Sequence, residues 1–273
     1  MKKFFGIIGN PINHSLSPVL HNYWFEKYNI DANYSIIKGE EKDIGDVIKR
    51  IKEKKLNGIN VTLPYKQKII SHIDRIVNDA ETTGSVNTLF LDDNECVVGE
   101  NTDVFGLQAA YLKEIDNNEK KKALVIGAGG VSPSVILSLR KSGIKNISIT
   151  NRTESKCLLL KKKFNYLNIL LWKKLQYEIS NHDIIINATS LGLKNGEDFD
   201  FDFSKCKNNA TYIDTIYNPL KTKTLKFLED RGLKVFNGLD MFIYQGQKSF
   251  YLWNKINPEI DKELINLLLS KIQ

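Results

Sequence analysis

The stretch Ala123-Leu-Val-Ile-Gly-Ala-Gly-Gly-Val-Ser132 constrains the fold more than any other part of this chain. An apolar run of strand type enters a Gly-Ala-Gly-Gly turn. Pro133 then stands in the first turn of a predicted helix, where a missing N–H costs little. Ile147-Ser-Ile-Thr150 reads as the next strand. Strand, glycine turn, helix and strand make the front half of a βαβ unit of the dinucleotide-binding type. Gly127 suits the tight turn and Gly129 lets the backbone approach a pyrophosphate. The helix opening near Val131 aims its N–H groups at that anion. The alternative is an ordinary glycine-rich strand-to-helix turn, and the third small position is Ser132 instead of Gly or Ala.

The second strand of the unit ends in Asn151-Arg152-Thr153. A carboxylate at that place would bond the free ribose hydroxyls of NAD. An arginine with Thr153 and Lys156 close behind suits the 2′-phosphate of NADP instead, and one charge-assisted bond of that kind is worth about 1.5–3 kcal/mol. Otherwise Arg152 is a surface residue of a helix-opening loop.

The glycine turn sits mid-chain, so the residues before it need a sheet of their own. A length of 273 residues is comfortable for two domains. Strands are predicted at Phe4–Gly9, Asn33–Ile37, Gly58–Val61, Asp183–Thr189, Ala210–Asp214 and Lys234–Phe236. Val86–Leu91 and Glu95–Gly99 form a hairpin around Asp92-Asp93-Asn94. Helices are predicted at Pro18–Tyr28, with Ser17 as N-cap, and at Lys42–Lys54, Lys66–Ile70, Asp103–Glu114, Leu220–Arg231 and Met241–Trp253. A last helix opens at Pro258 with Glu259, and the charged stretch Asp116–Lys122 precedes the glycine motif. Strands separated by helices imply parallel sheets covered on both faces. The expected architecture is α/β, with an N-terminal α/β substrate-binding catalytic domain over 1–102 and a doubly wound Rossmann-type domain over 103–238. The C-terminal helices, 239–273, are expected to return to the first domain.

The net charge of +7 comes mostly from lysine, and the runs 120–122 and 161–163 invite a nucleic-acid reading. No aromatic stacking platform or nucleic-acid module accompanies them, so no nucleic-acid partner is expected. A moderate positive field also suits small anionic ligands. Cys96, Cys157 and Cys206 are scattered without ligand spacing and read as inert thiols of a reducing cytoplasm. The four histidines show no paired spacing, so no metal is expected. Neither a membrane span nor a signal-peptide pattern is visible.

Three polar clusters in the first half look like parts of a site. Asn13-His-Ser-Leu-Ser-Pro18 feeds a helix N-terminus, where two hydroxyls and backbone N–H groups could receive a carboxylate. The plainer reading makes Ser17 an N-cap and Ser15 a loop residue. Asn60-Val-Thr-Leu-Pro-Tyr-Lys66 places Lys66 just past the C-terminal end of a strand, where ligands of α/β sheets bind. There it is either a positioned acid or base, or a solvated residue beginning a helix. Gly84-Ser-Val-Asn87-Thr and Glu100-Asn-Thr-Asp103 bring Asn87 and Asp103 to one sheet edge. Asp103 either caps the next helix or meets Lys66, in which case the two would steady each other's charge and tune proton transfer.

Taken in order, Ser15-Leu-Ser-Pro18, Asn60-Val-Thr-Leu-Pro-Tyr-Lys66, Gly84-Ser-Val-Asn-Thr88, Asn101-Thr-Asp103, Gly127-Ala-Gly-Gly130, Asn151-Arg-Thr153, Asn187-Ala-Thr-Ser190, Tyr217-Asn-Pro219 and Gly238-Leu-Asp-Met241 resemble the shikimate dehydrogenase family over essentially the whole chain. The resemblance implies reversible reduction of 3-dehydroshikimate to shikimate with NADPH, on the route to chorismate and the aromatic amino acids. It assigns the catalytic pair to Lys66 and Asp103. Ser15, Ser17 and Tyr217 fall at the substrate carboxylate, and Thr62, Asn87, Asp103 and Gln245 at its hydroxyls and reacting region. Gly127, Ala128, Gly129, Gly130 and Val131 underlie the cofactor, and Asn151, Arg152, Thr153 and Lys156 surround the 2′-phosphate. Thr189, Ser190, Thr215, Gly238 and Met241 fall at the nicotinamide end and its ribose. A site between two such domains suggests closure over the ligands. A cytoplasmic monomer or homodimer is expected. A quinate/shikimate dehydrogenase with looser substrate or NAD tolerance, a folate-type methylene dehydrogenase and an NADP-binding regulator without turnover are the alternatives.

Overall fold

A computed structural model describes residues 2–113, 115, 120–193 and 197–272. The chain divides into two compact units, one of residues 1–106 with 243–271 and the other of 107–242 with 272–273. Both crossings, at 106/107 and 242/243, fall inside helices. The expected crossings were 102/103 and 238/239.

The first unit holds β1 (Lys3–Ile8), α1 (Ser17–Lys27), β2 (Ala32–Ile37), α2 (Ile44–Lys52), β3 (Gly58–Val61), β4 (Arg75–Ile76), α3 (Asp79–Thr83), β5 (Thr88–Leu91), β6 (Val97–Glu100) and the start of α4 (Asp103–Leu107). Its sheet has the order β2-β1-β3-β5-β6-β4. β1 pairs parallel with β2 and β3, whereas the β5–β6 hairpin is antiparallel, with Thr88 opposite Glu100. α2 shows how sequence becomes packing. Ile44, Val47, Ile48 and Ile51 recur at helical spacing and all four are buried, together with Ile8, Ile59, Val61 and Leu89 of the sheet.

The second unit holds β7 (Lys122–Ile126), α5 (Ser132–Lys141), β8 (Asn146–Thr150), α6 (Glu154–Lys163), β9 (Asn168–Ile169), α7 (Leu175–Glu178), β10 (Ile184–Asn187), β11 (Thr211–Asp214), α8 (Lys223–Asp230) and β12 (Lys234–Phe236). Its sheet, β12-β11-β10-β7-β8-β9, is parallel throughout. The all-buried runs of β10 and β11 are what a sheet covered on both faces requires. The chain winds outward from β7 to β9, returns to the other side of β7 and winds out to β12. That reversal puts a ligand-binding crevice at the C-terminal ends of β7 and β10. α9 (Leu239–Asn254) and α10 (Lys262–Leu269) close the chain, and from Ile243 onward they belong to the first unit.

Several element boundaries differ from the sequence reading. Ser17 is the first residue of α1 and not its cap, a place taken by Leu16 without a side-chain bond. The last helix opens at Lys262, not Pro258, because Asp261 Oδ1 accepts the Leu264 N–H at 2.8 Å. The segment after Tyr65 is a short 3-10 turn over Lys68–His72. α4 continues as a π turn over Gln108–Leu112. Glu114 and Asp116–Glu119 of the predicted helix and charged stretch lie outside the described residues. Among the described residues no helix is long and apolar enough to cross a membrane.

Candidate active site

In the first unit, the turn after β3 is closed by the Tyr65 N–H, which donates to the Thr62 carbonyl at 2.9 Å. Lys66 comes next, pinned where its own carbonyl accepts the Val86 N–H at 2.8 Å. Asp103 arrives from β6. It does not cap α4, because Asn101 Oδ1 takes the Asp103 and Val104 N–H groups at 3.1 and 3.3 Å. The Asp103 carboxylate is therefore left to other partners. Lys66 Nζ lies 2.6 Å from Asp103 Oδ2, with side chains only 11% and 6% exposed. Asn87 Nδ2 donates to Asp103 Oδ1 at 2.8 Å, so both carboxylate oxygens are engaged. A buried charge pair is tolerable only when its remaining hydrogen-bonding capacity is met in this way.

Behind the pair lies a network that sequence reasoning did not single out. Asn87 Oδ1 accepts the Thr102 N–H at 2.8 Å, which fixes the amide's orientation. Ser249 of α9 has its hydroxyl 2.8 Å from Thr88 Oγ1 and 3.2 Å from Thr102 Oγ1. It also accepts from Asn60 Nδ2 at 3.1 Å and donates to the Gln245 carbonyl at 3.0 Å. Asn60, Thr88, Thr102 and Ser249 are all buried. The only sequence signal was a small polar residue inside the aromatic-rich helix Leu239–Asn254.

The two serines stand together at the start of α1. Ser15 Oγ lies 3.2 Å from Ser17 Oγ and accepts the Ser17 N–H at 3.2 Å. Paired hydroxyls at a helix N-terminus can hold a carboxylate. Thr62 is half-buried at the end of β3, and Gln245 is half-buried on α9 one turn before Ser249. Tyr217 belongs to the second unit, where its ring packs on Phe242 with centroids 4.8 Å apart.

The glycine turn of the second unit has a φ of +112° at Gly127, where an added Cβ would stand 2.7 Å from the Ala188 carbonyl oxygen. Only glycine fits. At Gly129 a Cβ would meet only that same oxygen, at 3.9 Å. The chain itself does not demand glycine there, and the missing side chain leaves the backbone open to a phosphate. Ser132 explains its own departure from the usual small residue: its hydroxyl donates to the Gly127 carbonyl and accepts the Gly129 N–H, both at 3.0 Å. Asn151 braces the turn from β8 by accepting the Ala128 N–H at 3.2 Å. Gly130 and Val131 complete the loop into α5.

Arg152, Thr153 and Lys156 are exposed around the start of α6. Arg152 Nη1 lies 2.8 Å from Glu197 Oε2, with both side chains more than half exposed. At the ends of β10 and β11, Thr189 donates to Asn187 Oδ1 at 2.7 Å and Thr215 to the Asn187 carbonyl at 2.9 Å. Asp214, also missed from sequence, holds this corner: it accepts from Asn187 at 3.1 Å, the Ile216 N–H at 3.1 Å and Thr222 at 2.8 Å. Burial pushes its carboxyl up to about 6. Gly238 packs so closely that a Cβ would stand 2.3 Å from the Thr215 carbonyl oxygen. Met241 is buried, and Ser190 is exposed. The open phosphate approach at Gly129, the cations around α6 and the absence of an acid at the end of β8 fit a dinucleotide carrying a 2′-phosphate. Among the described residues no group of three or more His, Cys, Asp or Glu is placed to hold a metal ion.

Residues 7–89 match the shikimate dehydrogenase substrate binding domain, and residues 110–194 match shikimate / quinate 5-dehydrogenase. The chain is 45% identical over 268 residues to shikimate dehydrogenase (NADP(+)) of Pelagibacter ubique, covering 98% of this chain and 99% of that protein. It superposes with a TM-score of 0.85 on a Thermus thermophilus shikimate 5-dehydrogenase crystallised with NADP(H) and shikimate, at 29% identity and 98% coverage of both chains. Quinate dehydrogenase of Corynebacterium glutamicum shares the fold with a TM-score of 0.90 at 24% identity, covering 98% of this chain and 99% of that one. With these matches spanning both units, the chain belongs to the shikimate dehydrogenase family.

Proposed function

We propose that this chain is an NADP-dependent shikimate dehydrogenase, reducing 3-dehydroshikimate reversibly to shikimate in the biosynthesis of chorismate and the aromatic amino acids. The observation that carries the reading is the Lys66–Asp103 pair at 2.6 Å, nearly closed to water and fixed by Asn87. NADPH, when bound, supplies the hydride that reduces the ring carbonyl carbon. Lys66, as ammonium, gives a proton to the carbonyl oxygen in that direction and takes the hydroxyl proton in the other. Asp103 orients Lys66 and stabilises its charge, with one oxygen on the ammonium and the other on Asn87.

The remaining assignments keep the same division. The first unit takes the substrate: Ser15 and Ser17 receive its carboxylate, and Thr62, Asn87, Asp103 and Gln245 receive its hydroxyls; Tyr217 is assigned to the carboxylate as well. The second unit takes NADP. The turn from Gly127 through Ala128, Gly129 and Gly130 to Val131 lies against the pyrophosphate. Asn151, Arg152, Thr153 and Lys156 enclose the 2′-phosphate, and Arg152 exchanges Glu197 for it. Thr189, Ser190, Thr215, Gly238 and Met241 face the nicotinamide ribose and ring. The enzyme works in the cytoplasm, as three cysteines without a disulfide suggest, as a monomer or homodimer.

Lys66→Ala tests the reading. Removing a positioned acid–base group lowers kcat by roughly 10²–10⁴ while the circular dichroism spectrum stays that of the folded protein, and the thermal midpoint drops because Asp103 is left buried without its cation. A folded Lys66→Ala protein with near-normal turnover contradicts the assignment.

A further inference from the structure

The π turn at Gln108–Leu112 carries a tyrosine that none of the roles above uses. One extra residue in a helical turn rotates the side chains beyond it by about 100°, and such single turns often mark functional places. Here Tyr111 is completely buried, its ring tilted against Phe236 with centroids 5.2 Å apart. Its hydroxyl donates to the Asn237 carbonyl and accepts the Met241 N–H at 3.2 Å. Burial holds the phenol well above its ordinary pKa, so it remains a donor across the working range. The Met241 N–H is one of the first-turn donors of α9, which have no partner within their own helix.

The segment between those two contacts is clamped from the other side as well. Gly238 donates its N–H to the Ile216 carbonyl at 2.8 Å and leaves no room for a Cβ against Thr215. Asn237 Oδ1 accepts the Leu239 N–H at 3.0 Å. Tyr111 thus ties both ends of the turn Asn237–Met241, and the turn sets Thr215, Gly238 and Met241. Those three are the residues placed at the nicotinamide end of the cofactor.

We propose that Tyr111 is a positioning residue for the nicotinamide end of NADP, acting through its hydroxyl on the Asn237–Met241 turn. The proposal rests on the NADP-dependent reading given above. The Tyr111 phenol is spent on the backbone of the turn and acts on the cofactor only through it. A phenylalanine keeps the ring and its contact with Phe236, and leaves the Met241 N–H without the phenol oxygen.

The test is steady-state kinetics of the full chain with NADP and shikimate for wild type, Tyr111→Phe, Asn237→Ala and Phe236→Leu. Tyr111→Phe raises the KM for NADP about threefold to tenfold, the worth of one or two net hydrogen bonds, while the KM for shikimate changes less than about twofold. Asn237→Ala loosens the same turn without touching Tyr111 and moves the NADP KM in the same direction, which keeps the proposal open to test should Tyr111→Phe fold poorly. Phe236→Leu weakens the ring packing, lowers the thermal midpoint and leaves the NADP KM in place. A folded Tyr111→Phe or Asn237→Ala protein with the wild-type NADP KM overturns the proposal, as does a Phe236→Leu variant that raises it equally. Wild-type protein that fails to turn over NADP and shikimate overturns the functional reading instead, so the two failures are told apart.

Discussion

Lys66 and Asp103 keep 11% and 6% of their side chains exposed, whereas Arg152 and Glu197 keep 63% and 71%. Behind the first pair lies a network in which Asn87, Thr102, Thr88 and Ser249 satisfy one another. Among the described residues the second stands in water with no such support, and exposed ion pairs of that kind contribute about 0–1 kcal/mol. The difference matches the two tasks proposed for them. Proton transfer needs a fixed donor in a water-poor setting, where electrostatic interactions are strong. Recognition of a 2′-phosphate needs a cation that can leave its present partner at little cost.

One fully buried titratable group in each unit is shifted by burial, with opposite consequences for stability. In the first, His21 lies among the rings of Trp24, Tyr34, Phe250 and Trp253. Burial pushes its pKa from 6.5 down to about 3. In the second, burial raises the Asp214 carboxyl from 3.8 to about 6. Below pH 6.5 the unfolded chain binds a proton at His21 that the fold refuses, so the first unit loses up to about 5 kcal/mol as pH falls toward 3. The fold holds a proton on Asp214 that the unfolded chain releases, so the second unit loses up to about 3 kcal/mol as pH rises from 3.8 through 6.

These opposite signs give the largest expected effect. Between pH 7 and 4, amide hydrogen exchange of α1 and β2, relative to the intrinsic rate, speeds up less in His21→Phe than in wild type. Asp214→Asn removes a stabilisation of β10 and β11 that grows as pH falls, against the opposite contribution of the buried His182. A pH dependence that neither substitution changes would break the comparison. A smaller effect reads the exposed end directly. Arg152→Ala weakens NADP about tenfold to a hundredfold in KM, as loss of a charge-assisted bond requires, and leaves the NAD KM nearly unchanged. Equal losses for both cofactors would show that Arg152 does not read the phosphate.

Much of this was legible in the sequence because it is local or periodic. The glycine turn, the apolar runs of β10 and β11, the helical spacing of Ile44, Val47, Ile48 and Ile51 and the Asp92–Asn94 hairpin each carry their signal within a few residues. Two strand ends at one sheet edge left the meeting of Lys66 with Asp103 as one of two readings, and the family resemblance selected it. What the sequence hid depends on long-range contacts. Ser249 reaches Asn60 across 189 positions and Tyr111 reaches Met241 across 130, and no spacing rule anticipates either. The start of α4 at Asp103 is as expected, but which side chain takes its first-turn N–H groups, and where the last helix begins, is not. Asn101 displaced Asp103 at α4, and Asp261 set the start of α10 beyond Pro258. Two-residue strands such as β4 and β9 are too short for alternation to show.

The most direct test of the account is the rate of nicotinamide reduction, followed by absorbance, with shikimate or quinate as substrate and NADP or NAD as cofactor. The expected result is fast turnover for shikimate with NADP and much slower turnover in the other three combinations. A rate with quinate and NAD equal to or above that with shikimate and NADP, or no turnover in any of the four, would contradict it.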